Sequence, residues 1–184
     1  MGTVATWTAG TTTGATMASE FNKLVNAANS IGNYSYAASS GIPNTATAVS
    51  FDTNDFQEGV LTHNATTNNT RFTVSAAGDF MFTAQLQILH NTTGTGSVTA
   101  WLRKNGTTPI ENSSVIIRMN GVVNTDVLVL QCLVPMLATD YVELMVQASA
   151  ASEWNLQTTA SSGTGATRIP VAPGVIMTIV GFPT

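Results

Sequence analysis

Between Arg71 and Ile88 the sequence reads RFTVSAAGDFMFTAQLQI, with apolar residues at every second position on either side of a short break. Phe72 and Val74 alternate with Thr73 and Ser75. Phe80, Phe82, Ala84, Leu86 and Ile88 alternate with Met81, Thr83, Gln85 and Gln87. A period of two sustained this long marks strands with one buried face. The break, Ala76-Ala77-Gly78-Asp79, reads as a tight turn in which Gly78 can take a positive φ without steric cost. Burying Phe80, Phe82, Leu86 and Ile88 contributes about 1.5–3 kcal/mol each as an upper bound.

Further short strands follow, separated by turn signals. They are Ser97–Lys104 before Asn105-Gly106, Ser114–Met119 before Asn120-Gly121, Thr125–Leu137, Asp140–Ala148, Trp154–Thr158 and Pro173–Phe182. An earlier strand is expected over Thr47–Thr53, with Asn54–Asn69 as a loop. Many short strands with little helix indicate an all-β sandwich or barrel.

Three of these segments are apolar on both faces. In Thr125–Leu137, Leu128, Leu130, Cys132 and Val134 point one way and Val127, Val129 and Leu133 the other. The last strand sets Val175, Met177 and Ile179 against Ile176, Val180 and Phe182. In Asp140–Ala148, Val142, Leu144 and Val146 share a face, and Tyr141 and Met145 lie opposite together with Glu143. A sandwich strand facing water is polar outside, so these second faces need a cover. Copies of the same chain in a closed symmetric assembly supply it. The expected self-contact residues are Val127, Val129, Leu133, Tyr141, Met145, Ile176, Val180 and Phe182.

Composition agrees with a protein that packs against others. Only 9% of the 184 residues are charged, against about 25% in an average soluble domain. Thr, Asn, Ser and Gln carry the polarity instead. The net charge is −4 and the six Lys and Arg residues are scattered, which argues against nucleic-acid binding because phosphate neutralisation needs clustered cations. No apolar run reaches the ~20 residues of a membrane span, and no secretory signal pattern is recognised. Cys132, the one cysteine, reads as a small buried hydrophobe.

At the N-terminal side, residues 1–13 read as an extended arm with Trp7 as its large anchor. Met17–Ile31 reads as a helix, with Phe21, Leu24, Val25, Ala28 and Ile31 on one stripe, Thr16 as N-cap and Gly32 as C′ residue. The implied organisation is an anchoring arm and helix over 1–36, a linker over 37–46 and a β-domain over 47–184. Trp7, Phe21, Leu24, Val25 and Ile31 are the expected anchoring residues.

The order of signals resembles the C1q/TNF-like jelly roll. Phe51-Asp52 ends a strand, RFTVSAAGDFMFTA (71–84) is similar to the family's central pattern, and VTAWLRKNG (98–106) runs into a turn. TDYVEL (139–144) and the terminal Gly181-Phe182-Pro183 complete the likeness over 47–184. The resemblance implies a jelly-roll β-sandwich assembled as a homotrimer, with the last strand near the threefold axis. The preceding Thr6–Ile31 segment looks like the openings of bacteriophage virion proteins, on Trp7, Gly10, Thr16, Phe21 and Asn22. That likeness implies a virion-surface structural protein, a capsid decoration, cement or short head-fibre protein. Its partners would be itself and the major capsid protein or another virion protein, with no nucleic acid and no membrane. The alternative is the receptor-binding tip of a tail fibre, recognising a host glycan or protein, with Trp154 as its sugar-stacking candidate.

Catalytic signatures are weak. There is no Gly-x-Ser-x-Gly elbow and no base–nucleophile constellation, so no enzyme, catalytic residue or cofactor is expected. His63 and His90, each before Asn-x-Thr, are expected as exposed loop histidines rather than metal ligands. Asp52, Asp55 and Glu58 place oxygen ligands close together without EF-hand spacing, and no metal site is assigned. Trp101, opposite Val98, Ala100 and Leu102, is a candidate interface anchor.

Overall fold

The computed structural model describes residues 16–22, 30–120 and 123–183. Residues 16–22 are helical. The strands begin with β1 (Ile31–Tyr36), β2 (Ser40–Gly41), β3 (Thr47–Ala48), β4 (Thr53–Gln57), β5 (Leu61–Thr62), β6 (Phe72–Val74) and β7 (Gly78–His90). They continue with β8 (Thr95–Lys104), β9 (Thr108–Pro109), β10 (Val115–Asn120), β11 (Asn124–Met136), β12 (Tyr141–Ala148), β13 (Trp154–Leu156) and β14 (Val175–Pro183). Among the described residues these make two antiparallel sheets of seven strands each.

In the first sheet β7 is the central strand. β11 runs along one side of it for its whole length, Met136 opposite Gly78 and Asn124 opposite His90. β14 and then β13 occupy the other side. β1 pairs with β14, and β4 lies outside β1. The second sheet is built on β8 and β12, flanked by β10 and by β6 and β5. The inward alternation is the one read from the sequence. Phe80, Phe82, Ala84, Leu86 and Ile88 of β7 are fully buried, facing Val98, Ala100 and Leu102 of β8 and Val142, Leu144 and Val146 of β12. Asn105 and Gly106 both take positive φ, 52° and 74°, the conformation an Asn-Gly hairpin turn requires.

The Arg71–Ile88 stretch does not form a hairpin. β6 belongs to the second sheet and β7 to the first, so residues 75–77 carry the chain across the sandwich. Gly78 is not in the left-handed region. A Cβ there would come 2.6 Å from the Phe182 carbonyl oxygen, so close approach of two backbones is what excludes a larger residue.

The N-terminal boundary also differs from the expectation. Ile31–Tyr36 is not helix end and linker but the first strand, laid between β14 and β4 with Ile31 opposite Val180 and Tyr34 opposite Met177. Gly32 is a strand residue packed on the Tyr34 ring, not a helix C′ residue. Tyr34 is fully buried against Phe72, ring centroids 4.8 Å apart, and that contact holds the strand in the sandwich. The expected strand over 47–53 is reduced to the two-residue β3, and the expected loop over 54–69 contains most of β4 and all of β5.

An exposed apolar sheet face as the candidate interface

The outward side chains of the first sheet follow from its register. β11 contributes Val127, Val129, Gln131 and Leu133; β7 contributes Gln87, Gln85, Thr83 and Met81; β14 contributes Ile176, Thr178, Val180 and Phe182. Leu133, Met81, Val180 and Ile31 lie in one row across four strands. Val127, Val129, Leu133 and Phe182 are 51–54% exposed, and Ile31 37%. Phe56, opposite Asn33, carries the face onto β4 and is 45% exposed. An exposed sheet surface with this many large apolar side chains is one that another surface covers.

Several polar residues on this face are held by hydrogen bonds within the chain. Gln131 Nε2 donates to Thr83 Oγ1 at 3.3 Å, Thr178 Oγ1 donates to Asn33 Oδ1 at 3.0 Å, and Gln87 Nε2 donates to the Pro173 carbonyl at 3.0 Å. Thr83, Gln85 and Gln87 form the outward polar row of β7. β7 lies between β11 and β14, so its polar row is framed by their apolar residues.

The expected self-contact residues therefore fall into two groups. Val127, Val129, Leu133, Ile176, Val180 and Phe182 share the outer face of the first sheet. Tyr141 and Met145 lie on β12, on the outer face of the second sheet, at the opposite side of the sandwich. Met145 is 1% exposed, paired with Trp101 and Ala48, so its own chain already covers it. Alternation assigns a side chain to a face but does not say which sheet owns the face. Of the expected anchors, Phe21 is 65% exposed on the 16–22 helix, Ile31 belongs to the sheet face, and Trp7, Leu24 and Val25 lie outside the described residues.

The other candidates change character. His63 and His90 are buried, not exposed. The His63 ring bonds the Asn54 side chain and the Asn69 carbonyl, and burial lowers its pKa despite the latter bond. His90 stacks on Trp154 with centroids 4.2 Å apart. Trp154 is itself fully buried, so it offers no face to a sugar. Asp52 Oδ1 accepts hydrogen bonds from Ala37 N–H and the Thr53 hydroxyl. Among the described residues no group of three or more His, Cys, Asp or Glu is placed to hold a metal. Cys132 is half-buried on the core side of β11, opposite Phe82, and burial raises its thiol pKa.

Ion pairs gather at the second sheet and its neighbouring turn. Glu143 is 4% exposed. It receives Arg103 Nε and Nη2 on Oε2 at 3.1 and 2.8 Å, and Thr70 Oγ1 on Oε1 at 2.8 Å. The Arg71 guanidinium lies 4.4 Å over the Tyr141 ring. At the neighbouring turn, Asp140 accepts from Lys104, the Asn105 amide and Leu137 N–H. Burial alone would raise its pKa, but these bonds and the Lys104 charge bring it down to about 2.

No family model and no curated protein matches this sequence. A solved structure similar to the chain is that of murine APRIL at pH 5.0. It is 11% identical, with a TM-score of 0.53, over 83% of this chain and 98% of that one. At that identity the likeness concerns the fold: the chain is a TNF-like jelly-roll sandwich of two antiparallel sheets, preceded by a short helix.

Proposed function

We propose that this protein is a homotrimeric, non-catalytic structural component of a bacteriophage virion, displayed on the capsid surface as a decoration, cement or short head-fibre protein. The observation that carries the assembly is the row Leu133, Met81, Val180 and Ile31 on the outer face of the first sheet. Around a threefold axis this face meets its own copies, and the apolar side chains of three copies cover one another. The TNF-like fold is consistent with a trimeric structural or binding protein. The particle attachment rests on the likeness of residues 6–31 to virion-protein openings, with Trp7, Phe21, Leu24 and Val25 as the grip on the major capsid protein or another virion protein. Ile31 passes from the anchor to the trimer face, because it sits in β1.

Light scattering on the full chain at micromolar concentration tests the assembly: a trimer is expected, and a monomer removes the reading. Deleting residues 1–29 tests the attachment. The shortened chain is expected to remain trimeric and to lose binding to purified capsids; retained capsid binding places the grip elsewhere. The tail-fibre tip alternative loses its aromatic candidate, since Trp154 is inside the sandwich.

A further inference from the structure

On the side of the molecule away from the apolar face, the outer surface of the second sheet holds a cleft of about 280 Å³. Its walls come from β5, β6, the 64–71 loop and the turn before β12. Thr62, Thr73 and Thr139 present hydroxyls, Asn68 an amide, Arg71 a guanidinium and Tyr141 a ring edged by its phenol. None of the lining side chains is acidic and none is aliphatic. Hydroxyls and amides both donate and accept, and the Tyr141 ring and threonine methyls add apolar surface between them, so the lining matches a ligand that carries hydroxyl groups on a ring with apolar C–H faces.

The cation in this cleft is held ready. Arg71 rests over the Tyr141 ring, and its Nε is 3.9 Å from the Glu143 carboxylate, beyond hydrogen-bonding distance. Glu143 is already satisfied by Arg103 and Thr70. Two arginines against one carboxylate leave one positive charge in surplus, and the Arg71 side chain, 42% exposed, carries it to solvent. A planar guanidinium with open N–H groups is the geometry that receives a carboxylate bidentately.

The backbone adds an independent observation. Asn68 and Thr139, both lining the cleft, take positive φ of 54° and 74°. Thr139 is β-branched, and its position in the Leu137–Asp140 turn, closed by Asp140 N–H to the Leu137 carbonyl at 3.0 Å, is one where glycine would be unstrained. A threonine kept there at a conformational cost presents its side chain at the cleft.

We propose that the cleft binds a carboxylate-bearing sugar residue, the uronic-acid class found in acidic polysaccharides, with Arg71 on the carboxylate and the threonine hydroxyls on the ring hydroxyls. The site lies on the opposite sheet from the apolar face and does not depend on the trimer reading.

Titration of the full chain with glucuronate, glucose and acetate, followed by backbone amide shifts, tests it. Glucuronate is expected to move the amides of Thr62, Arg71, Thr73, Thr139 and Tyr141 saturably, with a dissociation constant on the order of 1 mM. Glucose and acetate are expected to act at least roughly tenfold more weakly, since each supplies half of the contacts. Arg71→Gln is expected to weaken glucuronate binding about tenfold with little effect on folding, because Glu143 keeps Arg103 and Thr70. Thr139→Gly is expected to weaken binding while making the fold more stable. An absent or unsaturable response overturns the proposal. So does an equal response to acetate (a simple anion site), an equal response to glucose, or undiminished binding by both variants.

Discussion

Gly181 of β14 faces Phe80 of β7 across the ladder, and a methyl group added at Gly181 would lie 2.5 Å from the Phe80 ring. The same methyl would stand 3.0 Å from Ser30 Cβ, while Gly181 N–H donates to the Ser30 carbonyl at 2.6 Å. Phe80 is fully buried, so it has little room to retreat. Gly181→Ala is expected to destabilise the fold by about 1–3 kcal/mol through overpacking, measured by urea unfolding. Gly32→Ala, which drives a Cβ into the Tyr34 ring, is expected to behave alike. Parent-like stability in both variants would mean that these aromatic rings can shift.

The pair Glu143–Arg103 is asymmetric. The carboxylate side chain is 6% exposed and the guanidinium side chain 28%. Arg103→Met leaves a buried carboxylate with Thr70 as its close partner and is expected to cost about 3 kcal/mol. Glu143→Gln keeps an acceptor and frees an arginine that can reach water, at a cost of about 1 kcal/mol. Equilibrium unfolding of the two variants reads the order, and the reverse order would show that the arginine is the poorly solvated partner.

Asp140 sets a pH dependence. Its folded-state pKa of about 2 lies below the ordinary 3.8. The stability it contributes is therefore fully present above about pH 4 and is lost as pH falls through about 2. Discounted for solvent screening, that contribution is about 1 kcal/mol. Asp140→Asn is expected to flatten the stability profile between pH 4 and 2, measured by thermal unfolding at closely spaced pH values. An unchanged slope would assign the acid sensitivity to other carboxylates.

The long strands were legible because each carries its own alternation: β7, β11, β12 and β14 lie within a residue or two of where period two places them. β1 was not. Its sequence, IGNYSY, has Tyr34 as its one large inward side chain, and Ile31 continues the helical spacing that begins at Phe21. The partners that make it a strand, β14 and β4, are distant in sequence. The exposed apolar face was half legible for a related reason. Val129 and Leu133 could be recognised as outward, but nothing local distinguishes their sheet from the one holding Met145. Burial of His63 depends on Asn54 and the Asn69 carbonyl, a satisfaction that no spacing rule anticipates. Phe56 was missed because TNDFQ offers no apolar alternation.

Trp154 is fully buried and stacked on His90. Gly96 leaves room for it, since a Cβ there would come 2.9 Å from the indole. Trp154→Ala is expected to cost about 3–5 kcal/mol, as for other large-to-small changes in cores, and to lower the melting temperature. Any loss of binding to cells or particles by this variant is expected to track its unfolded fraction. A well-folded variant that has lost such binding would restore Trp154 as a contact residue.

Leu133 is half exposed and shares its row with Met81, Val180 and Ile31. In a lone protomer Leu133→Asp puts a carboxylate into water, and circular dichroism and melting of the protomer should change little. In a trimer closed over this face the same substitution buries three like charges near one axis, without partners. The dissociation constant is expected to rise by at least about a hundredfold, roughly 3 kcal/mol, so that light scattering at micromolar concentration reports monomer. Ile116→Asp serves as the control. Ile116 is 53% exposed on β10 of the other sheet, and its charge is expected to leave the trimer intact. If the Leu133 variant stays trimeric while the Ile116 variant dissociates, the copies meet through the second sheet. If neither dissociates, the apolar face of the first sheet is covered by something other than this chain.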